Sequence, residues 1–210
     1  MNKTTELKKY LSNFKDEYAC FIVDVFIAPV SVLSKAREIL ESCINLAQNV
    51  YYEETAYTEI SPIMLEDINC KYVIIHSERR QHFETNEIIN KKIKTSLKHS
   101  IRPVLCIENL KQKELLTKEI LKIQILELEI NIEDIDIAYE PIWAITLSAN
   151  DYIEEIHSYL KTIVNNNKTR IIYGSVNTKN AKEINIPNVD FLISASLESK
   201  NLLQIIQDII

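Results

Sequence analysis

At 210 residues the chain has the length of one domain and enough sequence to bury a substantial core. Its 24 Lys and Arg against 30 Asp and Glu leave a net charge of −6, which argues against a basic nucleic-acid-binding face but not against a small anionic ligand held by local dipoles. No apolar run approaches the roughly 18–20 residues that span a bilayer, and Met1 to Phe14 is polar and amphipathic without a signal-peptide pattern, so a cytoplasmic protein away from the membrane is expected.

Helical patterns and short apolar runs alternate along the chain. A helix is expected over Thr4–Phe14, a strand over Ala19–Ala28, a helix over Val32–Glu41 and a strand over Cys43–Ala47. Strands follow at Lys71–Ile75, Arg102–Ile107, Ile135–Tyr139, Thr169–Tyr173 and Val189–Ile193. Helices follow at Asn86–His99, Lys111–Leu128, Asp151–Val164, Thr178–Ile184 and Ser199–Ile210. Most strand runs are near-continuous in Val, Ile, Leu and Tyr, as parallel strands covered on both faces are. Thr85 or Asn86, Asp151 and Thr178 read as N-caps. No Pro/Ser-rich linker divides the chain, so residues 1–210 read as a single domain.

Seven strands alternating with helices imply a parallel sheet, either a closed (β/α)8 barrel or an open doubly wound one. The chain opens on a helix pattern, which leaves room for an eighth strand, the first in order, missing ahead of it. Polar residues cluster just past strand C-terminal ends: Asn49, His76, Glu140, Ser175 and Ser194. That is the reactive face of a closed barrel, whereas in an open sheet only strands beside the switch point would contribute.

Two compositional features bear on chemistry. The four cysteines, Cys20, Cys43, Cys70 and Cys106, share no metal-ligand spacing and read as reduced core thiols. Glycine occurs once, at Gly174, where ordinary usage of about 7% would supply roughly fifteen. The chain must therefore make its positive-φ turns from other residues or carry strain.

His-Ser-Glu-Arg-Arg at 76–80 follows an apolar strand. A histidine there, beside a helix N-terminus, would have its pKa lowered and could act as a neutral electrophile or proton shuttle. Taken alone, it reads equally as a surface histidine beside a salt-bridged Glu78/Arg79/Arg80 cluster. Ala-Tyr-Glu-Pro-Ile-Trp-Ala-Ile at 138–145 sends Glu140 out of a buried strand into a proline-fixed turn with apolar Trp143 and Ile145. A carboxylate desolvated by such a loop has its pKa raised toward that of a useful base, although a lone strand-end Glu as often pairs with a neighbouring cation. Tyr-Gly-Ser-Val at 173–176 and Ser-Ala-Ser-Leu at 194–197 end apolar strands in small residues, whose amides could cradle an anion.

Taken in order, these segments resemble the successive signatures of the triosephosphate isomerase family: Ala47-Gln48-Asn49, Thr58 to Pro62, Lys71 to Phe83, Tyr139 to Ile145, Tyr173 to Glu183 and Ser194 to Leu197. The resemblance runs from about residue 43 to the C-terminus. It implies a (β/α)8 barrel that interconverts dihydroxyacetone phosphate and glyceraldehyde 3-phosphate in glycolysis and gluconeogenesis, without cofactor or metal. The family is itself the standing example of a paired carboxylate base and neutral histidine. By motif match Glu140 is the base and His76 the electrophile, with Glu78 supporting the site. Gly174, Ser175 and Ser194 would bind the substrate phosphate, and Pro141–Ser148 would be the lid. Thr58 would sit at the tip of a loop entering a second subunit, which implies a homodimer.

Two departures stand out. The family's catalytic lysine belongs just ahead of the segment resembling Met1 to Thr4, and Lys3 is a poor substitute. Losing that cation would remove a stabiliser of developing charge, an effect of several kcal/mol. Each signature is also one residue short where the family carries glycine, among other places before His76 and before Ser194. A catalytically impaired relative acting as a binding protein is therefore the alternative expectation.

Overall fold

The computed structural model describes residues 26–27, 44–55, 58–75, 79–80, 83–107, 116–139, 150–174, 176–184, 191–192 and 199–209. The strands are β1 Phe26–Ile27, β2 Ile44–Ala47, β3 Tyr72–Ile75, β4 Arg102–Ile107, β5 Asp136–Tyr139, β6 Ile171–Tyr173 and β7 Phe191–Leu192. The helices are α1 Pro62–Asp67, α2 Asn86–Lys98, α3 Leu116–Leu126, α4 Asn150–Val164, α5 Ala181–Ile184 and α6 Ser199–Ile209. Each expected strand has a counterpart: β4 has the expected bounds, β2, β3, β5 and β6 start one or two residues later, and of Ala19–Ala28 and Val189–Ile193 only Phe26–Ile27 and Phe191–Leu192 are among the described residues. The helices expected over Thr4–Phe14 and Val32–Glu41, together with Cys20 and Cys43, lie outside the described residues. Cys70 and Cys106 are buried, and the Cys70 thiol donates to Tyr72 O at 3.1 Å. No described helix is long and apolar enough to cross a membrane.

The strands form one sheet in the order β1 to β7, with each neighbour pair parallel. A doubly wound sheet would reverse its order at a switch point, and this one does not. The two faces separate the core into two layers. Leu46, Ile74, Val104, Cys106, Ala138 and Ile172 pack with Tyr72 into a cluster made of strand residues alone. The alternate positions Ile75, Leu105, Ile107, Ile137, Tyr139, Ile171 and Tyr173 pack instead with Ile89 and Ile93 of α2, Ile156 and Leu160 of α4 and Ile205 of α6. One face is thus covered by helices and the other by the sheet itself, which is how a curled sheet closes an interior.

At the N-terminal end of this interior sits an ionic group. Asp136 is fully buried and is held by Arg102, whose Nη2 lies 2.9 Å from Oδ1, and by Arg170, which donates from Nε at 3.0 Å and from its backbone N–H at 3.1 Å. Arg170 also lies over the Tyr72 ring at 5.0 Å. Burial alone would raise the Asp136 pKa, but the two guanidiniums and the backbone donor more than reverse it and hold the carboxyl below its ordinary range.

The helix ends show how the chain manages without glycine. Asn69, Ser100 and Asn165, each just past a helix, have positive φ of 53°, 57° and 47°. After α1, Cys70 N–H donates to Leu65 O at 2.8 Å and Asn69 N–H to Glu66 O at 2.7 Å. After α2, Ile101 N–H donates to Ser96 O at 3.0 Å and Ser100 N–H to Leu97 O at 3.1 Å. These are paired 6→1 and 5→2 closures, which glycine normally makes. At the helix starts, Thr85 accepts from Ile88 N–H as the expected cap of α2. Two other expected caps are corrected. Asp151 lies inside α4, which begins at Asn150, and the turn before α5 is made by Asn177, whose Oδ1 accepts from Lys179 N–H at 2.9 Å, in place of Thr178. Asn177 wins because its amide oxygen reaches a backbone donor two residues on, mimicking a turn. Helix α1, capped by Ser61 with Pro62 at its first position, was not expected.

Two outcomes follow for stability. Ser100→Gly should raise stability by about 1 kcal/mol, because serine bears the left-handed penalty in full, while Asn69→Gly should gain less. Thermal unfolding that shows no gain for Ser100→Gly would contradict strain at that turn. Asp136→Asn should lose about 3 kcal/mol at neutral pH, the low end for a broken buried pair, because the arginine side chains keep 28% and 26% exposure. Since the folded Asp136 pKa is lowered, its contribution is complete above the ordinary value near ~4 and is lost as pH falls through the folded value. Urea unfolding of wild type and Asp136→Asn should therefore converge in acid, and equal midpoints at pH 7 would overturn the account.

Candidate active site

All the strands run in one direction, so all deliver their following residues to the same rim. Tyr139 is in register with Tyr173, and Tyr173 with Leu192, so β5, β6 and β7 end at one level. Ile107 is in register with Tyr139, and Ile75, the last residue of β3, pairs with Leu105 two residues earlier on β4. Strands β3 and β5 flank β4, and at about 4.8 Å per strand step their ends stand roughly 10 Å apart. These ends are rigid: Ile75, Ile107, Tyr139 and Tyr173 are all buried. Tyr139 and Tyr173 meet edge to face with centroids 6.0 Å apart.

His76 and Glu78 follow β3, Glu140 follows β5, Ser175 follows β6 and Ser194 follows β7; these five residues and the lid segment 141–148 lie outside the described residues. Gly174 is described. It is buried, and its N–H donates to Tyr139 O at 2.9 Å, extending the β5–β6 ladder by one residue. Its φ is not positive. The glycine at this position is therefore not needed for a left-handed turn, and its amide is already engaged. Thr58 is exposed in the loop between β2 and α1, whose neck is closed by Tyr51 N–H donating to Ile60 O at 2.8 Å.

Immediately beyond the His76–Glu78 segment the structure shows a charged group that sequence reading missed. Lys92 on α2 is buried and donates from Nζ to Glu84 Oε1 at 2.5 Å and to Asn49 Oδ1 at 2.6 Å. Glu84 Oε1 also accepts from Arg79 Nε at 2.5 Å, and Arg79 lies over the Phe83 ring at 5.1 Å with Glu59 3.9 Å away. Burial pushes the Lys92 pKa down, with the Glu84 contact working the other way. In the sequence Lys92 sits in an ordinary run, Asn-Lys-Lys-Ile-Lys, and only its spacing from Ile89, Ile93 and Ser96 places it on the buried face of α2. Arg79 pairs with Glu84, while Glu78, the acid of the cluster expected from sequence, lies outside the described residues. Among the described residues no group of three or more His, Cys, Asp or Glu is arranged to hold a metal.

Comparison with known proteins gives this arrangement its context. The family described as Triosephosphate isomerase matches residues 1–209. The triosephosphate isomerase of Dictyoglomus turgidum is 44% identical over 76% of this chain and 74% of its own length. That of Chloroherpeton thalassium is 40% identical over 88% and 84%, and that of Alkaliphilus oremlandii 36% identical over 98% and 95%. A parallel sheet in sequential order, with one helix-covered face and all strand ends on one rim, is the (β/α)8 barrel of that family, and the chain belongs to the triosephosphate isomerase family, as an enzyme of the isomerase class.

Proposed function

We propose that the chain interconverts dihydroxyacetone phosphate and glyceraldehyde 3-phosphate through an enediolate, serving glycolysis and gluconeogenesis. The observation that carries the reading is the common rim: β3, β5, β6 and β7, whose following residues resemble the family's signatures, all run toward the same side. Glu140 takes the carbon-bound proton from one carbon and returns it to the next. His76, as a neutral imidazole, polarises the carbonyl and moves protons between the two oxygens. A separation near ~10 Å between the strand ends leaves room for a three-carbon substrate once both side chains reach inward. Amides around Ser175 and Ser194 hold the phosphate, and Gly174 gives the phosphate its close approach by presenting no Cβ. Glu78 supports the site, and closure of 141–148 keeps water from the enediolate. The chemistry needs neither cofactor nor metal, since both proton transfers are carried by side chains.

We also propose a homodimer formed through the loop that carries Thr58. Exposed apolar side chains next to it support this: Ile63 and Met64 on α1 are 40% and 51% exposed, and Phe83 beside Arg79 is 63% exposed. Large apolar groups of this kind beside a charged rim are a common mark of a protein interface.

A coupled assay that follows glyceraldehyde 3-phosphate through a dehydrogenase tests the activity. The purified chain should turn over well above the solution rate, and Glu140→Gln should lower kcat about 10²–10⁴-fold, with His76→Gln losing about 10²–10³-fold. Turnover unchanged by both substitutions would refute the assignment. For the assembly, light scattering should give twice the chain mass of 24.4 kDa for wild type and a single chain for Met64→Asp. Wild type eluting as a monomer would refute the dimer.

A further inference from the structure

Glu84 and Lys92 form an ion pair in the interior, with side-chain exposures of 2% and 3%. A pair buried this deeply adds little net stability over apolar packing, because desolvating both ions offsets their attraction. What the pair holds is more telling than the pair itself. Through Lys92 it reaches Asn49, two residues beyond the end of β2. Through Glu84 it reaches Arg79, and the backbone repeats that link, with Phe83 N–H and Glu84 N–H donating to Arg79 O at 3.1 and 3.0 Å. The second carboxylate oxygen, Glu84 Oε2, is buried with no hydrogen-bond partner among the described residues.

Chain connectivity shows what depends on Arg79. Strand β3 ends at Ile75, and only His76, Ser77 and Glu78 separate it from Arg79. Each residue spans at most about 3.6 Å, so a segment this short is confined once both ends are fixed. Its upstream end is fixed by the ladder, where Ile75 pairs with Leu105. Its downstream end is fixed by the bonds from Arg79 to Glu84. We infer that Glu84 and Lys92 are positioning residues for the isomerisation: by clamping Arg79 they set the placement of the three residues that carry His76 and Glu78, and by bonding Asn49 they tie that placement to β2. The inference rests on His76 being the electrophile. An electrophile displaced by about 1 Å can lose on the order of a hundredfold in rate while the substrate still binds.

Removing one member of a buried pair destabilises the fold whatever its role, so the informative variants are two that avoid an unpaired buried charge. The double variant Glu84→Gln/Lys92→Met removes both charges together. Arg79→Gln cuts the clamp at a residue whose side chain is 29% exposed, leaving the buried pair intact. Both should melt within a few degrees of wild type, with kcat lowered about tenfold or more and KM changed less than about twofold. Wild-type kcat in either folded variant would overturn the positioning role and leave the pair as packing only. Unmodified chain that fails to isomerise triose phosphate would instead overturn the proposed function, so the two failures are distinguishable.

Discussion

Side chains on a strand alternate between the two faces of a sheet, and here the two faces meet different neighbours. Among the described residues one set, from Leu46 to Ile172, clusters with other strand residues, while the other, from Ile75 to Tyr173, is covered by α2, α4 and α6. Registers between neighbours fix this sorting. A slip of one residue in β5 would turn Ala138 outward and bring Ile137 and Tyr139 into an interior with no room for them. Because the sorting holds from strand to strand, every strand also ends facing the same way. The location of the reactive rim is therefore a consequence of the core pattern and needs no instruction of its own.

The two ends of the interior are put to different uses. At the N-terminal end, Asp136 accepts from Arg102 and Arg170, and Arg102, part of the positive charge that one carboxylate leaves over, also donates to the backbone carbonyls of residues 133, 135 and 168. At the C-terminal end the described strands β3, β4, β5 and β6 stop at the buried residues Ile75, Ile107, Tyr139 and Tyr173. The Lys92–Glu84 pair is intermediate: it lies beside the reactive end, is only partly satisfied, and links three segments of chain that carry no common secondary structure.

The repeat of strand and helix was readable because strands buried on both faces leave near-continuous apolar runs, and β3 to β6 were placed to within two residues. Closure of the sheet was not readable from periodicity, which is the same for an open and a closed parallel sheet; it follows from the family to which the chain belongs, together with the sequential strand order. Helix α1 carried a usable signal in Ser61-Pro62, a capping residue followed by the residue most at home in a first helical turn, but its six residues are too short to show a period. His76 and Glu140 lie outside the described residues, and the roles proposed for them rest on the family signatures around them. Glu84 and Lys92 were not, because burial of a lysine depends on what two distant segments, ending at Asn49 and Arg79, bring to it. Asp136 was hidden likewise: an acid opening an apolar strand looks like a boundary until arginines from both neighbouring strands converge on it.

The scarcity of glycine connects these levels. Three helix ends adopt the left-handed conformation with Asn69, Ser100 and Asn165, and each turn then leads toward a strand that supports the rim. Asparagine tolerates that conformation because its side chain can bond locally, whereas serine gains less from doing so. The one glycine the chain retains is not used to relieve such a turn. Gly174 has no positive φ, and it sits where β6 leaves the sheet, with its amide bonded to Tyr139. Backbone strain is tolerated at the helix ends, where Asn or Ser can absorb about 1 kcal/mol apiece. The position of the single glycine thus does not follow the need for left-handed turns, which asparagine and serine meet instead.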